Sequence, residues 1–192
     1  MTALHQRLHF DTARGQVLDE SRRYVLLRAD VLMGTFDALP DAARNEALRA
    51  FGRSVATYGA DSIRAYAAAN GTEALPAVME RAAASLGWGR WKLDMERDAL
   101  RLRVDNSPFA AASTRRSGPA CHAIAGMLEG LAGVLWNGAV SAIETACAAQ
   151  HGDACHFVAR RGNGPADEES GRSDRSIGIY SAMNCAPEEE GQ

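Results

Sequence analysis

The chain has 192 residues, 46% of them hydrophobic and 23% charged, with a net charge of −3. That length suits one well-buried domain and is short for two. The balance excludes a nucleic-acid binder built on a Lys- and Arg-rich face, and no run of 18 apolar residues is present to span a membrane.

Met1 to Arg7 lacks the apolar core of a secretory signal. The expected compartment is therefore cytoplasmic, where thiols stay reduced. Leu8-His9-Phe10 and Gln16-Val17-Leu18 flank a turn ending at Gly15 and read as a small hairpin. From Tyr24 to Leu39 apolar residues recur at helical spacing, among them Leu27, Val31 and Leu32. Pro40-Asp41 restarts the chain as a new helix, in which Leu48, Phe51, Val55 and Tyr58 form one stripe. Gly52 and Gly59 lie seven apart on it, a spacing that serves close helix packing or leaves room for a ligand. A further helix is expected from about Glu73 to Leu86, stopped by Gly87.

Trp91, Leu93 and Met95 alternate with charged residues, and Leu100, Leu102 and Val104 alternate with Arg101 and Arg103. This predicts an antiparallel hairpin with one apolar face, ended by Asn106-Ser107-Pro108. Residues 110–118 read as a small polar linker, and Pro119 as the first residue of the next helix. Ile124, Met127, Leu128, Leu131 and Leu135 line one face of that helix, and Gly126, Gly130 and Gly133 leave another nearly bare. Asn137-Gly138 stops it. Val140 to Ala146 is then a strand, with Cys155 to Ala159 as its partner. Residues 161–192 hold seven acidic and three basic groups without periodicity. The expected layout is one ligand-binding domain over 1–160 and an acidic, mostly disordered tail over 161–192, which contains the apolar patch Ile177–Tyr180 and the odd cysteine, Cys185.

Cys121, Glu144, Cys147 and Cys155 follow one another at spacings of 23, 3 and 8 residues. Three thiolates and a carboxylate make a closed four-coordinate set, which suits structural zinc because no position stays open for water. The competing reading is ordinary buried cysteines with Glu144 on a solvated edge. Cys121 falls in the first turn of a helix, where the positive end of the macrodipole favours a thiolate. Cys147 and Cys155 bracket the loop 148–154, which can fold both sulfurs back on one metal. In a regular strand Glu144 and Cys147 would point to opposite faces, so the strand must end or bulge between them. His122, His151 and His156 sit close by, and one of them could take the place of Glu144. Cys121 and His122 are adjacent but diverge by about 100° on a helix, so adjacency makes no dyad. With no nucleophile elbow, phosphate loop or dinucleotide fingerprint, no catalytic residue is expected.

The stretch from about Asn106 to Phe157 resembles the 4-vinyl reductase domain family. The matching residues are Asn106-Ser107-Pro108-Phe109, then Cys121-His122-Ala123-Ile124-Ala125-Gly126-Met127-Leu128-Glu129-Gly130, then Glu144-Thr145-Ala146-Cys147, and Asp153-Ala154-Cys155-His156-Phe157. The resemblance extends over roughly residues 7–160. It implies an α/β fold of the α+β type, an antiparallel sheet packed against a helical layer, similar to TRAPP-subunit and haem-nitric-oxide-binding domains. The family's aromatic-responsive transcription activators hold zinc with three Cys and one Glu, at positions matching Cys121, Glu144, Cys147 and Cys155. An apolar pocket beside the zinc is implied too, with Trp91, Leu102, Ala125 and Ala142 as its expected wall here. Ala125 and Ala142 are small where the sensors carry bulky aromatics, which leaves more space and favours a larger or different ligand than phenol. The resemblance thus implies a zinc-stabilised binding module for a hydrophobic small molecule, aromatic or tetrapyrrole. A homodimer would follow the sensors, which pair through this kind of domain. The alternatives are an accessory protein or reductase component acting on a tetrapyrrole vinyl group in bacteriochlorophyll biosynthesis, for which no nicotinamide or flavin motif is present, and a single-domain regulator acting through a partner protein.

Overall fold

The structure, a computed structural model, describes residues 4–162. The acidic stretch from 163 on, with Ile177–Tyr180 and Cys185, lies outside the described residues. A helical turn, α1 (Leu4–Arg7), leads into an antiparallel sheet of β1 (His9–Asp11), β2 (Gln16–Asp19) and β3 (Arg22–Tyr24). The expected hairpin is present, and a third strand extends it. Tyr24, read from sequence as the start of a helix, instead pairs with Val17. The helix begins only at Ala29, as α2 (Ala29–Asp37), and Val25, Leu26 and Leu27 are 82%, 67% and 56% exposed.

The next helix, α3 (Asp41–Asn70), runs for 30 residues. Leu48 is buried and Phe51 and Val55 are half-buried, but Tyr58 is 75% exposed. Eleven residues make about three turns, so Gly59 rather than Tyr58 falls on the face of Leu48. That face continues through the buried Ile63 and Tyr66. The following helix, α4 (Leu75–Ser85), ends before Gly87, whose φ of +74° suits a residue without a Cβ.

A four-stranded antiparallel sheet closes the fold: β4 (Arg90–Met95), β5 (Ala99–Asp105), β6 (Val140–Ala146) and β7 (Cys155–Arg161), in the order β4-β5-β7-β6. The alternation seen in the sequence puts Leu100, Leu102 and Val104 on the buried face, opposite Ala159, Phe157 and Cys155 of β7. Residues 110–118 are not linker throughout. Ser107 accepts a hydrogen bond from the Ala110 N–H and so caps a short helix, α5 (Pro108–Ala112). The central helix, α6 (His122–Trp136), starts three residues later than Pro119 suggested, with Cys121 at its N-cap. Asn137 stops it in the left-handed region, at φ 48°. Helix α6 packs on α3 and on β6 and β7, and the turn α7 (Ala148–His151) links the last two strands.

Two glycines let α3 and α6 meet backbone to backbone. A Cβ on Gly52 would lie 2.6 Å from the His122 carbonyl oxygen, and one on Gly126 would run into the Gly52 carbonyl. Close packing is therefore the role of Gly52.

A buried ion pair joins α2 to α3. Arg44, 1% exposed, donates from Nε to Asp37 Oδ1 at 2.9 Å. Asp37 also accepts from the backbone N–H of Thr114 at 2.7 Å and from its hydroxyl at 3.0 Å. Burial raises the Asp37 pKa, but the bonds from Arg44 and Thr114 outweigh it and hold the carboxyl below its ordinary value. A depressed carboxylate stabilises the fold above its unfolded pKa of about 3.9 and loses that contribution as pH falls through the folded value. Asp37→Asn leaves Arg44 buried without its anion and should cost about 3–5 kcal/mol at pH 7 in urea unfolding. The gap to the parent chain should narrow below about pH 4, as the parent's own carboxylate protonates.

Candidate metal centre and binding cavity

Four elements bring the predicted ligands together. Cys121 is the N-cap of α6, Glu144 lies on β6, Cys147 precedes α7, and Cys155 opens β7. Their ligand atoms all lie within 4.8 Å of one another. The obstacle seen in the sequence is removed by a bulge: pairing passes from Glu144↔Phe157 directly to Ala146↔His156. The extra residue turns the strand so that Glu144 and Cys147 reach the same side. Cys121, Cys147 and Cys155 are free thiols, 0–1% exposed. The Sγ atoms of Cys121 and Cys155 are 3.6 Å apart. A disulfide requires about 2.05 Å, whereas two sulfurs bound tetrahedrally to one zinc at about 2.3 Å sit about 3.8 Å apart.

Outer groups hold these ligands in place. The Cys121 N–H donates to Glu144 Oε2 at 3.0 Å, and the Ala148 N–H donates to Cys155 Sγ at 3.3 Å. The buried Ser107 hydroxyl lies 3.2 Å from Cys121 Sγ, a contact that the sequence reading of Ser107 as a hairpin terminus did not include.

The electrostatics are those of crowded acids. Hydrogen bonds from Cys121 and then Cys155 pull the Cys147 thiol down to about 2. Bonding to Cys147, then to Cys155, and burial push Cys121 up. The helix N-terminus therefore does not make Cys121 the thiolate, because Cys121 acts as the proton donor to Cys147. For Cys155 the bond with Cys121 pulls down, but the bond to Cys147 and burial prevail and raise it to about 12. Burial and the charge of Cys147 lift Glu144 to about 8. One sulfur carries the charge while its neighbours keep protons, an arrangement that a divalent cation would replace by binding all four. Glu144 Oε1 is buried with no hydrogen-bond partner among the described residues, so it is free to ligate. Three sulfurs and one carboxylate oxygen suit a thiophilic divalent ion, and not Ca²⁺ or Mg²⁺, which take oxygen ligands.

Among the described residues, no histidine joins this cluster. His156 is exposed, and His122 Nδ1 is buried without a partner among the described residues, so Cys121 and His122 form no dyad.

A second feature lies where β3, α3, α4, β4 and α6 meet. It is a cavity of about 520 Å³, with Val55, Gly59, Ile63, Tyr66, Met79, Ala83, Trp88, Trp91 and Met127 in its largely apolar wall. Among the expected wall residues Trp91 lines it, its indole N–H satisfied by the Trp88 carbonyl at 3.1 Å. Leu102 is packed in the sheet core at 1% exposure. Ala125 and Ala142 line a separate cleft of about 180 Å³, together with His122 and Glu129. The four are thus spread over three places. Gly59 does line the cavity, and a Cβ there would touch the Met127 side-chain end at 3.2 Å. Tyr24, Tyr66 and Met79 were not expected in the wall. In a single sequence an apolar residue facing a cavity has the same spacing as one facing core.

Residues 100–161, which contain every ligand of the cage, match the model of the 4-vinyl reductase domain. The chain carries a 4-vinyl reductase domain. A comparison with curated protein sequences finds no match. Among solved structures, the phenol-responsive sensory domain of the transcription activator PoxR, bound to phenol, aligns with a TM-score of 0.69 at 17% identity, covering 82% of this chain and 86% of its own. The shared fold is a helical layer on an antiparallel sheet. A vinyl-4-reductase family protein from Methanocaldococcus jannaschii aligns at 15% identity and a TM-score of 0.48, over 75% of this chain and 85% of its own. A trafficking protein particle complex subunit 3 from Naegleria fowleri, covalently bound to palmitic acid, aligns at 12% identity and 0.49, over 70% and 95%. Among the described residues of this 4-vinyl reductase domain chain, no helix is long and apolar enough to cross a membrane.

Proposed function

We propose that this chain is a zinc-stabilised binding module for a hydrophobic small molecule. The observation that carries the reading is the shared helix: α6 begins at a ligand of the cage, Cys121, and six residues on contributes Met127 to the cavity wall. At about 1.5 Å per residue the two points are about 9 Å apart along one rigid element. Cys121, Glu144, Cys147 and Cys155 would hold the ion. In a closed sulfur-rich set zinc supplies folding energy and no open position for chemistry. The PoxR sensory domain has this fold and binds phenol, which supports a small-molecule role.

Size separates the expected guest from phenol. A cavity of about 150 Å³ accommodates benzene, and the one here is about 520 Å³. It lies in the usual range for sites that enclose ligands larger than one ring.

Filling the cavity tests this reading. Gly59→Phe would place a ring in the space, and only the flexible end of Met127 has to move. Nile red, a neutral apolar dye, should bind the parent chain saturably in fluorescence titration and bind Gly59→Phe at least about tenfold more weakly, with the melting temperature retained. Equal binding by both would overturn the assignment of this cavity.

A further inference from the structure

The cavity is not apolar throughout. Its β3 end is formed by Arg22, Arg23 and Tyr24. The Nε of Arg22 is buried and has no hydrogen-bond partner among the described residues. The carboxylates that face this guanidinium both approach its Nη2: Glu20 at 3.3 Å and Asp19 at 3.8 Å. Asp19 is itself bound by Arg7 at 2.7 Å, so its charge is matched without Arg22. Arg23 makes no ion pair among the described residues, and Asp61, the acidic residue of the wall, is paired with Arg64 at 2.6 Å. One end of an apolar chamber is therefore positive, with a buried N–H that lacks an acceptor. Buried donors are almost always satisfied in native structures, and the guanidinium can only donate.

We infer that the bound molecule is a monocarboxylate with an apolar body, its carboxylate held by Arg22 and its body between Tyr66, Met79 and Trp91. This rests on the cavity reading above and names the chemistry of its guest. A carboxylate fits better than a neutral oxygen because a hydrogen bond between two charged groups is about twice as strong as one between neutral groups. It would also offset the excess positive charge that Arg22 and Arg23 bring to the wall.

The test compares two probes with the same body: 4-phenylbutanoate and 4-phenylbutan-1-ol, titrated into the parent chain by calorimetry at pH 7. The acid should bind at least about tenfold tighter, the worth of one charge-assisted hydrogen bond. Arg22→Gln should collapse that preference to about one, and Arg7 would still hold Asp19 in place. Equal affinity of the parent chain for acid and alcohol, or a preference that survives Arg22→Gln, would overturn the carboxylate and leave the cavity standing. Failure of both probes to bind the parent chain would overturn the cavity as well. The first comparison needs no variant, so it decides even if the substitution unfolds the sheet.

Discussion

Cys147→Ser should empty the metal cage and lower the melting temperature by about 6–12 °C. Cys147 is the sulfur on which the cluster's negative charge settles, and Cys121 and Cys155 both bond to it. A serine hydroxyl keeps the size but remains protonated, so the divalent ion would lose its best anionic ligand. Ion binding at closed zinc sites feeds directly into folding, with apparent values of about 10–16 kcal/mol in small zinc peptides. This chain has its own core, centred on Leu100, Leu102, Ile124, Leu128 and Phe157, so only part of that energy is needed for folding. A loss of about 3 kcal/mol corresponds to the stated shift for a domain of this size. Elemental analysis of the parent chain should find about one zinc per molecule, and of the variant nearly none. A well-folded parent without metal, melting together with Cys147→Ser, would remove the cage from the account of stability.

Gly126→Ala should be as damaging, although it adds a single methyl group. The new carbon would collide with the carbonyl of Gly52 across the α3–α6 contact. Backbone lies on both sides, so no side chain can swing aside, and the helices must separate. Overpacking of this kind costs about 1–3 kcal/mol and sometimes more, and a clash between main chains belongs at the upper end. Gly133→Ala is the internal control. It lies on the same helix, where the nearest atom to an added Cβ is 3.8 Å away. Removing a helical glycine there should raise stability by up to about 1 kcal/mol. Urea unfolding of the two variants should therefore move in opposite directions. A Gly126→Ala chain as stable as the parent would mean that the helices do not touch at this point.

The sequence revealed the cage more fully than the cavity, for a physical reason. Four ligating side chains within 35 residues announce themselves by chemical type, and even the bulge before Cys147 follows from the two-residue period of a strand. The β4–β5 hairpin was legible for the same reason, since its alternation spans both strands. The third strand of the N-terminal sheet was not. Its turn consists of Glu20 and Ser21, with Glu20 at φ 55°, in place of the Asn-Gly or Asp-Gly pairs that usually mark a two-residue turn. Without that signal, the apolar run after Tyr24 was read as helix and Arg22 was passed over. Tyr58 misled for another reason: a three-residue step is a good neighbour over one turn but drifts off the face over three.

Of the eighteen residues around the chamber, only Met127 lies within residues 100–161. The thiols and the guest are thus specified by different stretches of one polypeptide. Exchanges in the N-terminal half can retune what fits without disturbing a single sulfur. A chain can thus keep its family's anchor while taking up different cargo, and the phenol in PoxR does not come along with the cysteines.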